Sequence, residues 1–179
     1  MNLFQTYYKH IIKHDLTNKF IFSNNQKIPK LKEITLNFGC KNMTIQKFTT
    51  TMLALEIISL KKGTITATKK PNIILKIQKG QPTGCKVNLR GRQIYPFLTK
   101  LHLEIIPKLK NFRGFKIEKQ VFNFFFQIPT NEIVLKEFEN QYPLFSNLPI
   151  LDVNILTTTK NSKELIFLAK AMKLPFYQN

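Results

Sequence analysis

Apolar and polar positions along the chain recur with period two in some segments and near 3.6 in others, the two signatures of strands and helices. In LKEITLNFG, Ile34, Leu36 and Phe38 alternate with Glu33, Thr35 and Asn37, which predicts a half-covered strand ending at Gly39. In CKVNLR, Cys85, Val87 and Leu89 alternate with Lys86, Asn88 and Arg90, which predicts a strand with one oily and one cationic face. Leu3, Tyr7, Ile11 and Leu16 predict an opening helix, closed by SNNQ and Pro29. A second helix is predicted over IQKFTTTMLALEIISL, followed by short strands at GTITAT and NIILKI on either side of the tip KKPN.

From Gln93 onward, Ile94, Phe97, Leu98, Leu101 and Ile105 recur at helical spacing, with Pro96 tolerated in the first turn and an end near Pro107. VFNFFFQI reads as a core strand, a role that outweighs base stacking on Phe124 or Phe126. LDVNILTTT reads as another strand, and SKELIFLAKAM as a helix capped by Ser162. Helices and strands mix without regular βαβ alternation, so the expected class is α+β. With no internal repeat and no low-complexity linker, residues 1–179 are expected to form a single domain.

The glycines refine this picture. The chain has only six, yet Gly80, Gly84 and Gly91 all fall in GQPTGCKVNLRG. Glycine reaches positive φ without strain and lets another backbone come close, so the cluster predicts a turn, a strand and a second turn.

Charge changes the picture most. The formal net charge is +18 and the sequence pI is about 10.0. Up to Gly114 there are 21 basic and 4 acidic residues; from 115 to 179 there are 7 and 6, so the excess is nearly all in the first part. Between Glu56 and Glu104 no acidic residue occurs, while Lys61, Lys62, Lys69, Lys70, Lys76, Lys79, Lys86, Arg90, Arg92 and Lys100 do. A solubilising surface carries both signs, whereas a one-sign block is the footprint of a polyanion's partner. RNA or DNA is the expected partner. A membrane surface would call for a basic amphipathic helix, and here the cations fall on predicted strands and turns.

Candidate chemistry adds little. No apolar run reaches the span of a bilayer, and MNLFQTYYKH lacks a signal peptide's apolar centre, so neither membrane insertion nor secretion is expected. Cys40 and Cys85 form no CxxC pair and are expected to be buried thiols; His10 and His14 stand i,i+4 on a helix without a third ligand. No metal and no cofactor are expected. The chain contains no GxSxG, HExxH, Walker or GxGxxG motif. Glu137 and Glu139 lie in the near-neutral part and read as a solvated face rather than an acid/base pair. Catalysis is not expected.

Taken together, YYK at 7–9, EITLNFG at 33–39, GQPTGCKVNLRG at 80–91, NFRGF at 111–115, LDVNILTTT at 151–159 and LPF at 174–176 resemble the large-subunit ribosomal protein five family, in order and spacing over nearly the whole chain. The resemblance implies a non-catalytic α+β domain whose antiparallel sheet and helices bind 5S rRNA in the central protuberance, among neighbouring large-subunit proteins. It also implies a loop, here about 68–75, that reaches the peptidyl-site tRNA, and a contact with a head protein of the small subunit. Carried over by position, the rRNA-binding residues are Asn37, Lys86, Asn88, Arg90, Arg92 and Arg113. The tRNA-facing residues are Lys69, Lys70, Asn72 and Lys76, and the backbone turns fall at Gly39, Gly80, Gly84, Gly91 and Gly114. The chain departs from the family's pattern at Pro71, Asn72, Gln78 and Gln81, and in the glycine-free KIEKQVFNFFFQI between Phe115 and Pro129.

Arginine is limited to Arg90, Arg92 and Arg113 against 25 lysines, and Phe, Ile and Asn are abundant, a bias suited to an AT-rich genome. The expected location is a ribosome of the mitochondrial matrix, encoded in the organelle, with an AT-rich bacterium's cytoplasm as the alternative. The rival readings are a free RNA-binding or RNA-modifying protein and a peripheral membrane protein. Either would fail to sediment with large subunits.

Overall fold

A computed structural model describes residues 3–40, 44–71, 73–74, 76–109, 115–116, 123–129, 138, 142–145, 148–174 and 176–177. At its centre lie five strands: β1 (Leu31–Gly39), β2 (Thr64–Ala67), β3 (Pro82–Arg90), β5 (Asn123–Ile128) and β6 (Leu151–Thr157). They form one antiparallel sheet in the order β2-β3-β1-β6-β5. A short parallel pair, β4 (Phe115–Lys116) with β7 (Phe176–Tyr177), forms a second sheet of its own. The α+β expectation is met.

The alternation read from the sequence sets the faces. Ile34, Leu36 and Phe38 of β1, Cys85, Val87 and Leu89 of β3, Phe124, Phe126 and Ile128 of β5, and Leu151, Val153 and Ile155 of β6 are all buried in one core. Helices supply the other side of that core, together with the opening helix described next. They are α3 (Ile45–Ser59), α4 (Ile94–Lys100) with its continuation through Lys108, the short α5 (Tyr142–Phe145), and α6 (Ser162–Ala171). Burial of Phe124 and Phe126 makes them core residues and removes them as base-stacking rings.

The opening helix is continuous from α1 (Leu3–Tyr7) through a π-helical stretch (Tyr8–Ile12) into α2 (Lys13–Lys19). Its buried positions are Ile12 and Leu16, with Phe4, Tyr7 and Tyr8 packed against the core, while Leu3 and Ile11 are exposed. The expected stripe through Leu3 and Ile11 is therefore corrected. A π-turn carries more residues per turn than an α-turn and rotates the apolar face by about one position. The helix also stops at Lys19, ahead of SNNQ, where Phe20 turns extended. Tyr8 then ties it to the sheet's entrance by donating its hydroxyl to the Pro29 carbonyl at 2.8 Å. Burial, with Tyr95 nearby, pushes the Tyr8 phenol up to about 12.

Two other expectations change. The described residues of NIILKI form no strand: Ile73 and Ile74 sit in a turn, each 92% exposed, and Lys76 has φ of 52°. Strand-like side chains need a free ladder to join. The outer edge of β2 offers one, but left-handed backbone at Lys76 breaks the extended run before it can pair. The final helix is capped at Asn161 rather than Ser162. The Glu164 carboxylate reaches back to accept from the Lys160 backbone N–H at 3.2 Å and from the Asn161 side-chain amide at 3.3 Å, which fixes the chain entering the helix.

Candidate nucleic-acid interface

Residues directly opposite in an antiparallel ladder share a face, so the register lays out the polar face of the sheet row by row. One row runs Arg90, Glu33, Leu156, Asn123; the next runs Asn88, Thr35, Asn154, Phe125; a third runs Thr64, Lys86, Asn37, Asp152, Gln127. The sequence-predicted residues Asn37, Lys86, Asn88 and Arg90 are thus brought together on β1 and β3. Thr35, Asn154, Phe125 and Gln127 belong to the same surface, and sequence reasoning does not single them out. Period-two alternation is the signal that carries them there, once it is extended across paired strands.

Charge is uneven across this face. Lys86 and Arg90 are exposed on β3, with Arg92 exposed in the 3-10 turn Gly91–Gln93 that follows. Arg90 is not a free cation, because its Nη2 donates to Glu33 Oε2 at 2.9 Å, with the Arg side chain 71% and the Glu side chain 12% exposed. Such an exposed pair adds at most about 1 kcal/mol of stability, and its larger effect is to hold the guanidinium on the face. Toward β6 and β5 the carboxylate is Asp152, which accepts from Gln127 Nε2 at 2.9 Å and from Asn37 Nδ2 at 3.5 Å.

Lys61 is no loosely held surface charge. Its Nζ donates to the Asn88 carbonyl at 2.7 Å, beyond the point where β2 stops pairing with β3. Lys100 Nζ likewise donates to the Ile57 carbonyl at 3.2 Å. Two of the ten cations in the acid-free span therefore support the backbone. Lys62, Lys69, Lys70, Lys76, Lys79, Lys86, Arg90 and Arg92 are exposed.

The glycines divide by role. Gly80 and Gly91 carry φ of 84° and 57° and make the turns on either side of β3. At Gly84 a Cβ would stand 2.6 Å from the Phe38 carbonyl oxygen and 2.9 Å from Thr66 Oγ1. The close approach that requires glycine there is between strands, not toward an RNA backbone. Gly39 has open space around it. Arg113 and Gly114, like Asn72, Glu137 and Glu139, lie outside the described residues.

Lys69, Lys70 and Lys76 sit on a loop closed at its base. Thr68 N–H donates to the Gln81 carbonyl at 3.0 Å, Gly80 N–H to the Thr68 carbonyl at 2.9 Å, and Thr68 Oγ1 to the Gln78 carbonyl at 2.6 Å. Gln81 Oε1 accepts from the Gln78 backbone N–H at 3.1 Å. Pro71, Ile73, Lys76, Ile77, Gln78 and Lys79 line an open hollow of about 410 Å³ on this loop.

Titratable chemistry on the described residues is sparse. No group of three or more His, Cys, Asp or Glu comes together among them, and none of their helices is long and apolar enough to cross a membrane. His10 and His14 are exposed on the opening helix. Cys40 and Cys85 are buried free thiols, with Cys40 Sγ directed at the Phe38 carbonyl at 3.8 Å and Thr51 Oγ1 at 3.6 Å; the neighbouring Cys85 draws Cys40 down to about 7, and the neighbouring Cys40, with burial, pushes Cys85 far up. The arrangement offers hydrogen-bond donors and cations on a sheet, and no acid/base or nucleophile constellation among the described residues.

The chain is similar to known proteins along its full length. The family model for the C-terminus of the ribosomal L5 proteins matches residues 82–176. The large ribosomal subunit protein uL5m of Reclinomonas americana is 32% identical over 178 residues, covering 98% of each chain. The uL5 of Nitrosomonas europaea is 32% identical over 172 residues, covering 95% of this chain and 96% of that one. The uL5 of a Wolbachia strain from Culex pipiens is 33% identical over 181 residues, covering 99% and 100%. Resemblance along the full length leaves one conclusion: the chain belongs to the ribosomal L5 family, a family of structural, non-enzymatic components of the large ribosomal subunit.

Proposed function

We propose that this chain anchors 5S rRNA, or another large-subunit rRNA, in the central protuberance through the polar face of its sheet. The carrying observation is the cluster of Lys86, Arg90 and Asn88 on β3 beside Asn37 on β1, with Arg92 at the following turn. Guanidinium pairs of phosphate hydrogen bonds and ammonium contacts fix an RNA backbone on such a surface. The ion pair to Glu33 holds Arg90 in place until phosphate competes for it. Arg113 is assigned to the same anchor by its match to the family pattern.

The closed loop from Thr68 to Gln81 is assigned to the peptidyl-site tRNA, through Lys69, Lys70, Asn72 and Lys76. A contact with a small-subunit head protein completes the set of partners. Lysine-rich, arginine-poor composition supports a mitochondrial ribosome, and the position of the gene in an organellar or bacterial genome tests that assignment.

Binding of the purified chain to a 5S rRNA transcript tests the anchor. With about six to ten phosphates contacted, affinity falls on the order of a thousandfold or more between roughly 50 and 200 mM salt. Lys86→Ala with Arg90→Ala reduces the salt slope by about two contacts. An unchanged slope removes β3 from the interface. Replacing Lys69 and Lys70 by Ala leaves transcript binding intact and lowers tRNA retention on assembled ribosomes. Loss of subunit incorporation in that variant would instead make the loop part of the anchor.

A further inference from the structure

In β5, Phe124 and Phe126 are buried, but Phe125 lies on the polar face and is 44% exposed. Its row continues through Asn154 and Thr35 to Asn88. The side-chain oxygens of Asn154 and Asn88 are enclosed without a hydrogen-bond partner. The NH2 half of each half-buried amide has no hydrogen-bond partner among the described residues, and it is the donor the amide can offer a ligand.

The two ends of this face suit different parts of a nucleotide. Lys86 and Arg90 on β3 suit phosphate. β5 lies three strand spacings away, about 14 Å, where Asp152 is the nearby charge among the described residues and disfavours phosphate. An aromatic ring with an amide donor beside it suits a neutral base. Single-stranded RNA meets proteins in this way, by stacking bases on aromatic side chains of a sheet and reading their edges with amides.

We propose that Phe125, with Asn154 beside it, is the stacking position for an unpaired RNA base whose backbone passes over Lys86 and Arg90. This rests on the reading of the polar face as an RNA-binding surface. Phe125 supplies the π-surface, and the Asn154 NH2 donates to a ring nitrogen or carbonyl on the base edge.

The test uses the whole chain and a single-stranded oligoribonucleotide carrying one 2-aminopurine, whose fluorescence is quenched on stacking. Phe125→Leu, which keeps an apolar side chain, weakens binding about 5- to 100-fold and relieves the quenching, while Phe125→Tyr retains both. Equal affinity and quenching for Phe125→Leu and the unaltered chain overturns the stacking position. If Lys86→Ala with Arg90→Ala still loses binding in that case, the RNA-binding reading stands alone. If that double variant binds as tightly as the unaltered chain, both fall. A photo-crosslinking phenylalanine analogue at position 125 in assembled large subunits gives an RNA adduct if the proposal holds, and a protein adduct overturns it.

Discussion

Leu89 and Arg90 are adjacent in β3, and the difference between them is the difference between the two faces of the sheet. Leu89 is enclosed by Ile34 and the rest of the core, while Arg90 across the ladder meets Glu33 and solvent. The covered face stores the stability of the domain. The polar face is nearly free of that duty, so its residues can be chosen for what they bind.

Exchange of the two neighbours for alanine separates these roles most sharply. Leu89→Ala is expected to cost about 2–5 kcal/mol in denaturant titration, and Arg90→Ala no more than about 1 kcal/mol. For RNA affinity, measured on folded protein, Arg90→Ala is the damaging change. Comparable stability losses would mean that the polar face is structural after all.

Gly84 sharpens the comparison because it lies in the polar-face pattern yet answers to the fold. Gly84→Ala drives a methyl group against the Phe38 carbonyl and is expected to cost about 1–3 kcal/mol as the strands shift. Its ladder partner tells the opposite story: Gly39 has nothing within 4 Å of an added Cβ, so Gly39→Ala is expected to leave the melting temperature nearly unchanged. Similar melting shifts for the two would refute this division.

The smallest effect tests the covered side by pH. His102 stacks on Phe4 with ring centroids 4.9 Å apart, and its Nε2 is enclosed without a partner. Burial holds its pKa below 6.5; a hydrogen bond donated to the Met172 carbonyl opposes this, and the nearby Lys173 charge adds to it. A depressed folded-state pKa means that the unfolded chain takes up the proton first. Stability from this site is complete above pH 6.5 and is lost as pH falls from there through the folded-state value. Thermal melts are expected to drop between about pH 7.5 and 5.5, and His102→Gln to flatten that slope.

Much of this was legible in the sequence because alternation reports one-sided burial directly. β1, β3 and β6 follow from it, and with them the placement of Asn37, Lys86, Asn88 and Arg90. What alternation lacks is knowledge of partners. Ile73 and Ile74 have strand-like side chains, yet they sit in a turn ahead of the left-handed backbone of Lys76. The pairing of Arg90 with Glu33, and of Lys61 with the Asn88 carbonyl, depends on a register that no local pattern encodes. Phe125 is hidden by its own neighbours: three consecutive phenylalanines read as core, although the middle one must face the other way.

The hydrogen bonds between Thr68 and Gly80, Gln78 and Gln81 close residues 69–79 off from the sheet. A segment sealed at its base can change length or composition with little effect on the strands that carry it, since doubling a loop costs only about 0.6 kcal/mol of closure entropy. Sequence drift is therefore cheap here. Such a loop can be traded for another chain's without disturbing the surface assigned to rRNA, which makes it the natural place to graft a new contact onto this scaffold.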